Sequence, residues 1–307
     1  MIPKKRPADE RGGRAAKLSR RRRRRHLYLV LDDWEKGYSI RKLDLSSDSD
    51  SDDGPMDSIE QRLPPAVFRL EAPRGFCELF TSFGTKIIAT HHTRRRNIPM
   101  WDVCTRALTF GPRHKVQPNP YCNAYVEVDD GYLILLDSGH FEMLVPPPPS
   151  PDDALGSIKV IWKWEHLPKP PFRHSVVSHA VHPDGRTIFY TTEKHNQNKR
   201  SKVATFSFDT QSGKWNRHGD WRLPFQGRGY FDLELDAWVG LSGDPTTLGH
   251  LCTCEVVSAD AAAADEPPVW KLSKDRLFCV DPAEKHVGAT LVYMGEEASS
   301  ALCSASP

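Results

Sequence analysis

Apolar and polar residues alternate along most of this chain, in short runs broken by turn-forming residues. The pattern is sharpest between Val181 and Trp215. Asp184-Gly185 is a turn signal, and a β-rich run from Arg186 to Thr191 follows it. Beyond a polar loop over 193–202, Ala204, Phe206 and Phe208 fall on one face of a second run, with Thr205 and Ser207 on the other. Asp209-Thr-Gln-Ser-Gly213 makes the next turn, because Asp and Gly tolerate the conformations a tight turn needs. Trp215 then opens another strand. A period of two, punctuated in this way, predicts antiparallel β-structure.

The same alternation predicts a hairpin from His26, in which Leu27, Leu29 and Leu31 alternate with Tyr28 and Val30 and residues 38–45 return. Further strands are expected over 67–70, 76–83, 84–89, 99–104, 107–110, 125–136 (around a turn at Asp129-Asp-Gly131), 141–145 and 159–164. After Trp215, a strand pair is expected over 233–241, then strands over 248–257, 270–272, 277–280 and 288–294.

The middle strands repeat. Ile87-Ile88, Ile134-Leu135, Ile188-Phe189 and Trp238-Val239 are about 47, 54 and 50 residues apart. Leu291-Val292 follows about 53 residues later, and Leu29-Val30 precedes the first by about 58, the excess being an acidic insert. A period near 50, with about four strands in each unit, is the sign of a kelch-type β-propeller. The expected fold is therefore all-β, a propeller of about six blades over 26–295, with a disordered arm over 1–25 and a disordered tail over 296–307. Trp101, Trp164, Trp215 and Trp238 are expected to pack between blades.

Composition agrees with many short strands, since 25 prolines and 20 glycines disfavour long helices. No window reaches 18 apolar residues, so no transmembrane helix is expected, nor does an apolar signal region follow the basic start. The seven cysteines are odd in number and lack a disulfide-framework spacing, which favours reduced thiols. The expectation is a soluble intracellular protein.

Charge divides the chain. The net charge is only +2, but residues 1–26 carry +10, which leaves −8 for the rest. Lys4, Lys5 and Arg6 form one basic cluster, and Arg20, Arg21, Arg22, Arg23, Arg24 and Arg25 form another. These nine residues are the candidate nuclear localisation signal, read by an import receptor. A run of six arginines can also hold nucleic-acid phosphates without sequence selectivity. Residues 46–58 form an acidic, serine-rich loop suited to acid-directed phosphorylation. A hand-type calcium loop is not expected there, because counting from Asp48 puts Asp53 and Ile59 where Gly and Glu are required. Residues 146–153 are a stiff, proline-rich loop.

Little of the chain suggests catalysis. Gly227-Arg-Gly229 is too short for a phosphate loop, and Asp137-Ser-Gly-His140 lacks the setting of a nucleophile elbow. Cys252-Thr-Cys254 places two thiols on one strand face, but two further zinc ligands are missing. His174 and His179 face opposite sides of a strand, which is poor for shared ligation with His182. Asp232 and Glu234 share a face without the second carboxylate that a glycosidase needs. No cofactor is expected.

His26-Leu-Tyr-Leu-Val-Leu-Asp-Asp-Trp-Glu-Lys-Gly-Tyr-Ser-Ile, Gly213-Lys-Trp, Gly219-Asp-Trp-Arg-Leu-Pro-Phe and Glu234-Leu-Asp-Ala-Trp-Val-Gly-Leu carry a resemblance. They are similar to a large family of grass (cereal) proteins with kelch-like propeller repeats, a domain of unknown function. The resemblance covers residues 25–295 and implies a plant source and a propeller-like fold, with no catalytic residues to carry over. Such proteins tend to continue past the equivalent of Tyr293-Met294, which implies a last blade that is incomplete here.

Two functions of different class follow. One is a non-enzymatic, nuclear protein-interaction module whose loops at one end bind a protein partner. The other is a propeller enzyme acting on carbohydrate, which predicts polar side chains converging on the axis. Nucleic-acid binding through the arm is a third reading.

Overall fold

The computed structural model describes residues 26–45, 62–72, 79–90, 97–114, 124–129, 131–137, 140–147, 162–194, 202–259, 266–278 and 289–294, and the backbone of 300–305. The candidate localisation residues Lys4 to Arg25 and the acidic loop lie outside the described residues, as does most of the proline-rich loop.

Among the described residues, twenty strands make up almost all of the regular structure. In chain order they are β1 (His26–Asp32), β2 (Tyr38–Asp44), β3 (Ala66–Leu70), β4 (Phe80–Phe83), β5 (Lys86–Ala89), β6 (Asn97–Asp102), β7 (Leu108–Pro112), β8 (Ala124–Val128), β9 (Tyr132–Leu136) and β10 (Phe141–Val145). They continue as β11 (Lys163–His166), β12 (Ser175–Val181), β13 (Thr187–Lys194), β14 (Lys202–Asp209), β15 (Lys214–Gly219), β16 (Phe225–Asp232), β17 (Ala237–Ser242), β18 (His250–Glu255), β19 (Trp270–Arg276) and β20 (Ser300–Ala305). Helix among the described residues is limited to two 3₁₀ turns, Trp34–Lys36 and Pro245–Thr247. No helix among them is long and apolar enough to cross a membrane.

The strands form four-stranded units. β4 to β7 and β8 to β11 are antiparallel meanders in sequence order. β12 to β15 and β16 to β19 are two more, joined into one sheet by a short parallel pairing of β12 with β16. β1, β2 and β3 complete the set with β20, which runs parallel to β1.

The core lies between the units. Tyr28, Val30 and Ile40 of the first unit meet Ile87, Ala89 and Trp101 of the second. Ile88, Ile98 and Met100 then meet Leu133 and Leu144 of the third. Ile134, Val126 and Phe141 meet Ile188, Tyr190 and Phe208 of the fourth, whose Phe189 and Ala180 meet Trp238, Cys252 and Cys254 of the fifth. The paired apolar residues of the sequence repeat explain this order. A strand projects successive side chains to opposite faces, so Ile87 and Ile88 serve two different interfaces, as do Ile188 and Phe189. Trp101 and Trp238 are buried in these seams, and Trp164 and Trp215 pack against them, as the pattern predicts.

Within the fifth unit, Phe225 packs directly on two glycines. Its ring lies across Gly229 and Gly240, and a Cβ at either would run into it. Two glycines let the β16–β17 backbone approach a full aromatic ring.

The structure departs from the sequence reading at several places. Residues 289–294, where the sixth unit's strand is expected, carry no strand, and the described residues make five units rather than about six. Residues 270–276 form a longer strand than the 270–272 expected, and 277–278, at the start of the next expected piece, carry none. Residues 300–305, in the stretch expected to be a structureless tail, pair with β1. The free edge of β1 offers unpaired backbone groups, and a ladder satisfies them whatever the sequence. Finally, 233–236 is a turn, although Leu233 and Leu235 continue the alternation of Ala237 and Val239. The Asp232 carboxylate competes successfully with the ladder, accepting from the N–H groups of Glu234 and Leu235 at 3.0 Å each.

Candidate functional site

In each later unit the turn between the first and second strands lies at the same end. Neighbouring units touch there. Gly84 donates its N–H to Glu127 Oε1 at 2.9 Å, and Asp129 N–H donates to Gly185 O at 3.0 Å. Aspartates shape this end. Asp102 Oδ1 accepts from the N–H groups of Cys104 and Thr105 at 3.0 and 2.9 Å, and Asp184 Oδ1 from Arg186 and Thr187 at 3.0 and 2.8 Å. Burial would raise the Asp102 carboxyl, but Lys86 Nζ at 2.7 Å and these N–H donors hold it well below the usual carboxylate range. These aspartates fold turns and leave little capacity for a ligand.

The turn after β16 differs from the others at this end. Leu233 is 80% exposed and Leu235 58%. Their side chains stand among Asp232, Glu234 and Asp236, and Asp236 adopts φ 47°, a left-handed conformation. Asp232, read from the sequence as one of a carboxylate pair with Glu234, is instead the cap that fixes the turn. The result is an acidic tip carrying two exposed leucines.

The opposite end holds a buried polar cluster that sequence reasoning missed. Glu142 is 2% exposed, and its two oxygens face His114 Nδ1 at 3.0 Å and His166 Nδ1 at 3.2 Å. His114 Nε2 lies 3.3 Å from the Tyr125 hydroxyl. Burial alone would raise the Glu142 carboxyl. The His114 hydrogen bond and the charges of His114, His166 and His140 prevail and hold it below its usual range. Burial pushes the Tyr125 hydroxyl up. Trp164 covers the His114 ring at a centroid distance of 4.0 Å and donates its Nε1–H to Pro112 O at 2.9 Å. The carboxylate–imidazole–phenol order resembles a proton relay. The His114 ring, however, is buried under an indole, so the cluster ties the end of β7 to β10 and β11. One signal for it is in the sequence: Glu142 interrupts the apolar run Phe141-Glu-Met-Leu-Val145.

The three histidines weighed as ligands do not converge. His179 is half-buried on β12, and burial with the Arg228 charge pushes it down to about 3. His182 instead pairs with Asp184 Oδ2 at 3.2 Å. Cys252 and Cys254 do share a face, but that face is the core between the fourth and fifth units. No group of three or more His, Cys, Asp or Glu able to hold a metal occurs among the described residues.

Residues 24–306 match the family described as protein of unknown function (DUF1668). No curated protein matches the chain. Among solved structures it is similar to TolB from Acinetobacter baumannii, with 14% identity, 82% of this chain and 54% of that chain covered, and a TM-score of 0.43. It is also similar to the β-propeller domain of Myceliophteria thermophila Cps50 (Swd1), with 14% identity, 54% and 51% covered, and a TM-score of 0.36. The chain thus spans about half the length of each of these two.

Proposed function

Because this chain belongs to the family described as protein of unknown function (DUF1668), with no activity attached to that description, we propose from its own surface that it is a non-enzymatic protein-interaction module. In this reading its four-stranded units are the blades of a kelch-like propeller from a grass. The observation that carries the reading is the turn at 233–236. Two leucines are held in water by a turn that Asp232 has already shaped, so a partner loses little ordering entropy in using them. Exposed apolar anchors ringed by charge are the usual core and rim of a contact site. The partner it suits is a protein with an apolar pocket rimmed by Lys and Arg, facing Asp232, Glu234 and Asp236.

Proximity labelling in plant cells, with the full chain and a Leu233→Ser/Leu235→Ser variant, tests this. Loss of a defined set of labelled proteins in the variant is the expected result. Identical labelling by the two would remove the reading. We place the protein in the nucleus, with Lys4, Lys5, Arg6 and Arg20 to Arg25 as the import signal. A reporter fused to residues 1–60 should accumulate there only when Arg20 to Arg25 are intact. Diffuse signal from both forms would end the localisation proposal and reduce the arm to non-specific, salt-sensitive contact with nucleic acid.

A further inference from the structure

Among the described residues, the outer strands β3, β7, β11, β15 and β19 each leave one edge of their unit unpaired. β19 is the longest of them, with seven residues against four to six, and none of its residues is buried. Its backbone is set for a further strand. Glu255 N–H donates to Val269 O at 3.0 Å, and the register continues with Trp270 opposite Cys254 and Lys271 opposite Thr253. In an antiparallel ladder alternate residues turn their backbone groups to the same side. Val269 and Lys271 therefore face β18, and the N–H and C=O groups of Trp270 and Leu272 point out from the free edge. The far end is pinned, since Leu251 N–H donates to Ser273 Oγ at 3.1 Å and Leu277 N–H to Gly249 O at 2.7 Å.

The side chains add selectivity. Trp270 is 46% exposed, and Val269 and Leu272 are exposed with it. Lys271, Lys274 and Arg276 are exposed against one acid of the strand, Asp275, and none of the three cations has an ion pair among the described residues. Glu255 lies across from Val269, before the strand begins, so positive charge prevails along it. Charge alone would keep an edge unpaired, but a long edge with an exposed indole and leucine works against that. We propose that β19 is a docking edge for an extended acidic segment of another protein, which adds to the fifth unit as one more strand. Main-chain bonds to Trp270 and Leu272 attach it, their side chains meet its apolar residues, and its Asp and Glu residues face the three cations. A second copy of β19 fits poorly, because it would set the same cations against one another. The edge shares no residue with the leucine tip and does not depend on it.

The test uses the full chain and three fluorescein-labelled, end-blocked heptapeptides. One alternates Glu and Val, one alternates Lys and Val, and one is the Glu form with two central prolines, which cannot continue a ladder. In fluorescence anisotropy the Glu peptide should bind at least about tenfold more tightly than either of the others; tenfold is 1.4 kcal/mol. Trp270→Ser and the pair Lys271→Glu/Lys274→Glu should each weaken it by about tenfold or more, with an unchanged melting temperature because these side chains are exposed. In the wild-type complex, hydrogen exchange should slow at the Trp270 and Leu272 amides. Exchange that does not slow there overturns the proposal however the variants behave. No Glu peptide bound at millimolar concentration, equal binding of the Lys or proline peptide, or an affinity unchanged in both variants would also overturn it. So would tighter binding of a single-stranded oligonucleotide that the same lysine changes abolish, because the cations would then serve phosphates. Aggregation of the lysine variant at unchanged peptide affinity would reduce the charges to guards of an unused edge.

Discussion

Gly185 and Asp129 occupy each other's space at the junction of the third and fourth units. Asp129 N–H donates to Gly185 O at 3.0 Å, and the Asp129 carboxylate fills the position that a Cβ on Gly185 would take. Gly185 also holds φ 73°. Gly185→Ala should therefore destabilise twice over, by about 1–2 kcal/mol for the left-handed backbone and by a further steric amount of about 1–3 kcal/mol. Urea midpoints measure the sum. Adding Asp129→Gly should recover the steric part and leave the backbone part. Full recovery would place the whole cost in the clash.

Glu142 makes an acid-dependent contribution. Its carboxyl is held below its usual range in the folded chain. Its stabilisation is therefore complete above the unfolded value of about 4.3 and is lost as pH falls through the folded value. Glu142→Gln keeps the shape and removes the charge that His114 and His166 face. It should cost about 1–3 kcal/mol at neutral pH. The gap between variant and wild type should narrow below about pH 4. A constant gap down to pH 3 would mean that the carboxylate's charge does not matter.

His179 acts in the next window up. Its folded value of about 3 lies far below the ordinary histidine value. Stability from keeping it neutral is complete above about pH 6.5 and is lost as pH falls toward 3, at up to about 1.4 kcal/mol per pH unit. Arg228 faces it across the β12–β16 seam, and Tyr190 lies beside it at 6.4 Å between ring centroids. His179→Leu should flatten the pH dependence of the urea midpoint between pH 6 and about 4. Equal slopes in both forms would show that the group stays neutral in neither state or both.

The thiols give a third readout. Burial raises the Cys252 thiol to about 11, and burial with the nearby Cys252 and Glu255 charges raises Cys254 to about 12. Cys104 is exposed. The thiolate is the reactive form, so iodoacetamide at about pH 8 should modify Cys104 in the folded protein and spare the other two until urea is added. Peptide mapping by mass spectrometry distinguishes the sites.

What the sequence made legible was the repeat, and for a physical reason. A strand buried on both faces needs two adjacent apolar residues, so Ile87-Ile88 and Ile188-Phe189 announce their position without any long-range information. Turns at Asp184-Gly185 and Asp209 were legible for the same reason, because their chemistry is local. The 233–236 turn was not, since Leu233 and Leu235 keep the strand period while a side-chain cap decides the backbone. Nor was the Glu142 cluster, whose partners lie 28 and 24 residues away, one just after β7 and one on β11. Trp34 was visible as a residue but not as an outlier, because its left-handed φ belongs to the folded turn alone.

Phe225 offers a test of packing within the fifth unit. Its ring is covered by Gly229 on its own strand and Gly240 on β17, and it is fully buried in the seam with Trp238 and Leu223. A methyl group at Gly229 would run into Cζ and both Cε atoms of the ring, so Gly229→Ala should cost about 1–3 kcal/mol through overpacking. Phe225→Leu alone should cost a similar amount, because a smaller side chain leaves a void of the kind that costs about 1–3 kcal/mol here. Together the two changes are complementary, because a leucine lacks the Cε and Cζ atoms that the new methyl would meet. The double variant should be less destabilised than the sum of the singles by about 0.5–3 kcal/mol, the range for residues in direct contact. Chemical denaturation of the four proteins closes the cycle. Strict additivity would mean that the β16 backbone shifts at Gly229 instead of pressing on the Phe225 ring, and the packing would then be softer than the contact of two glycines with one ring implies.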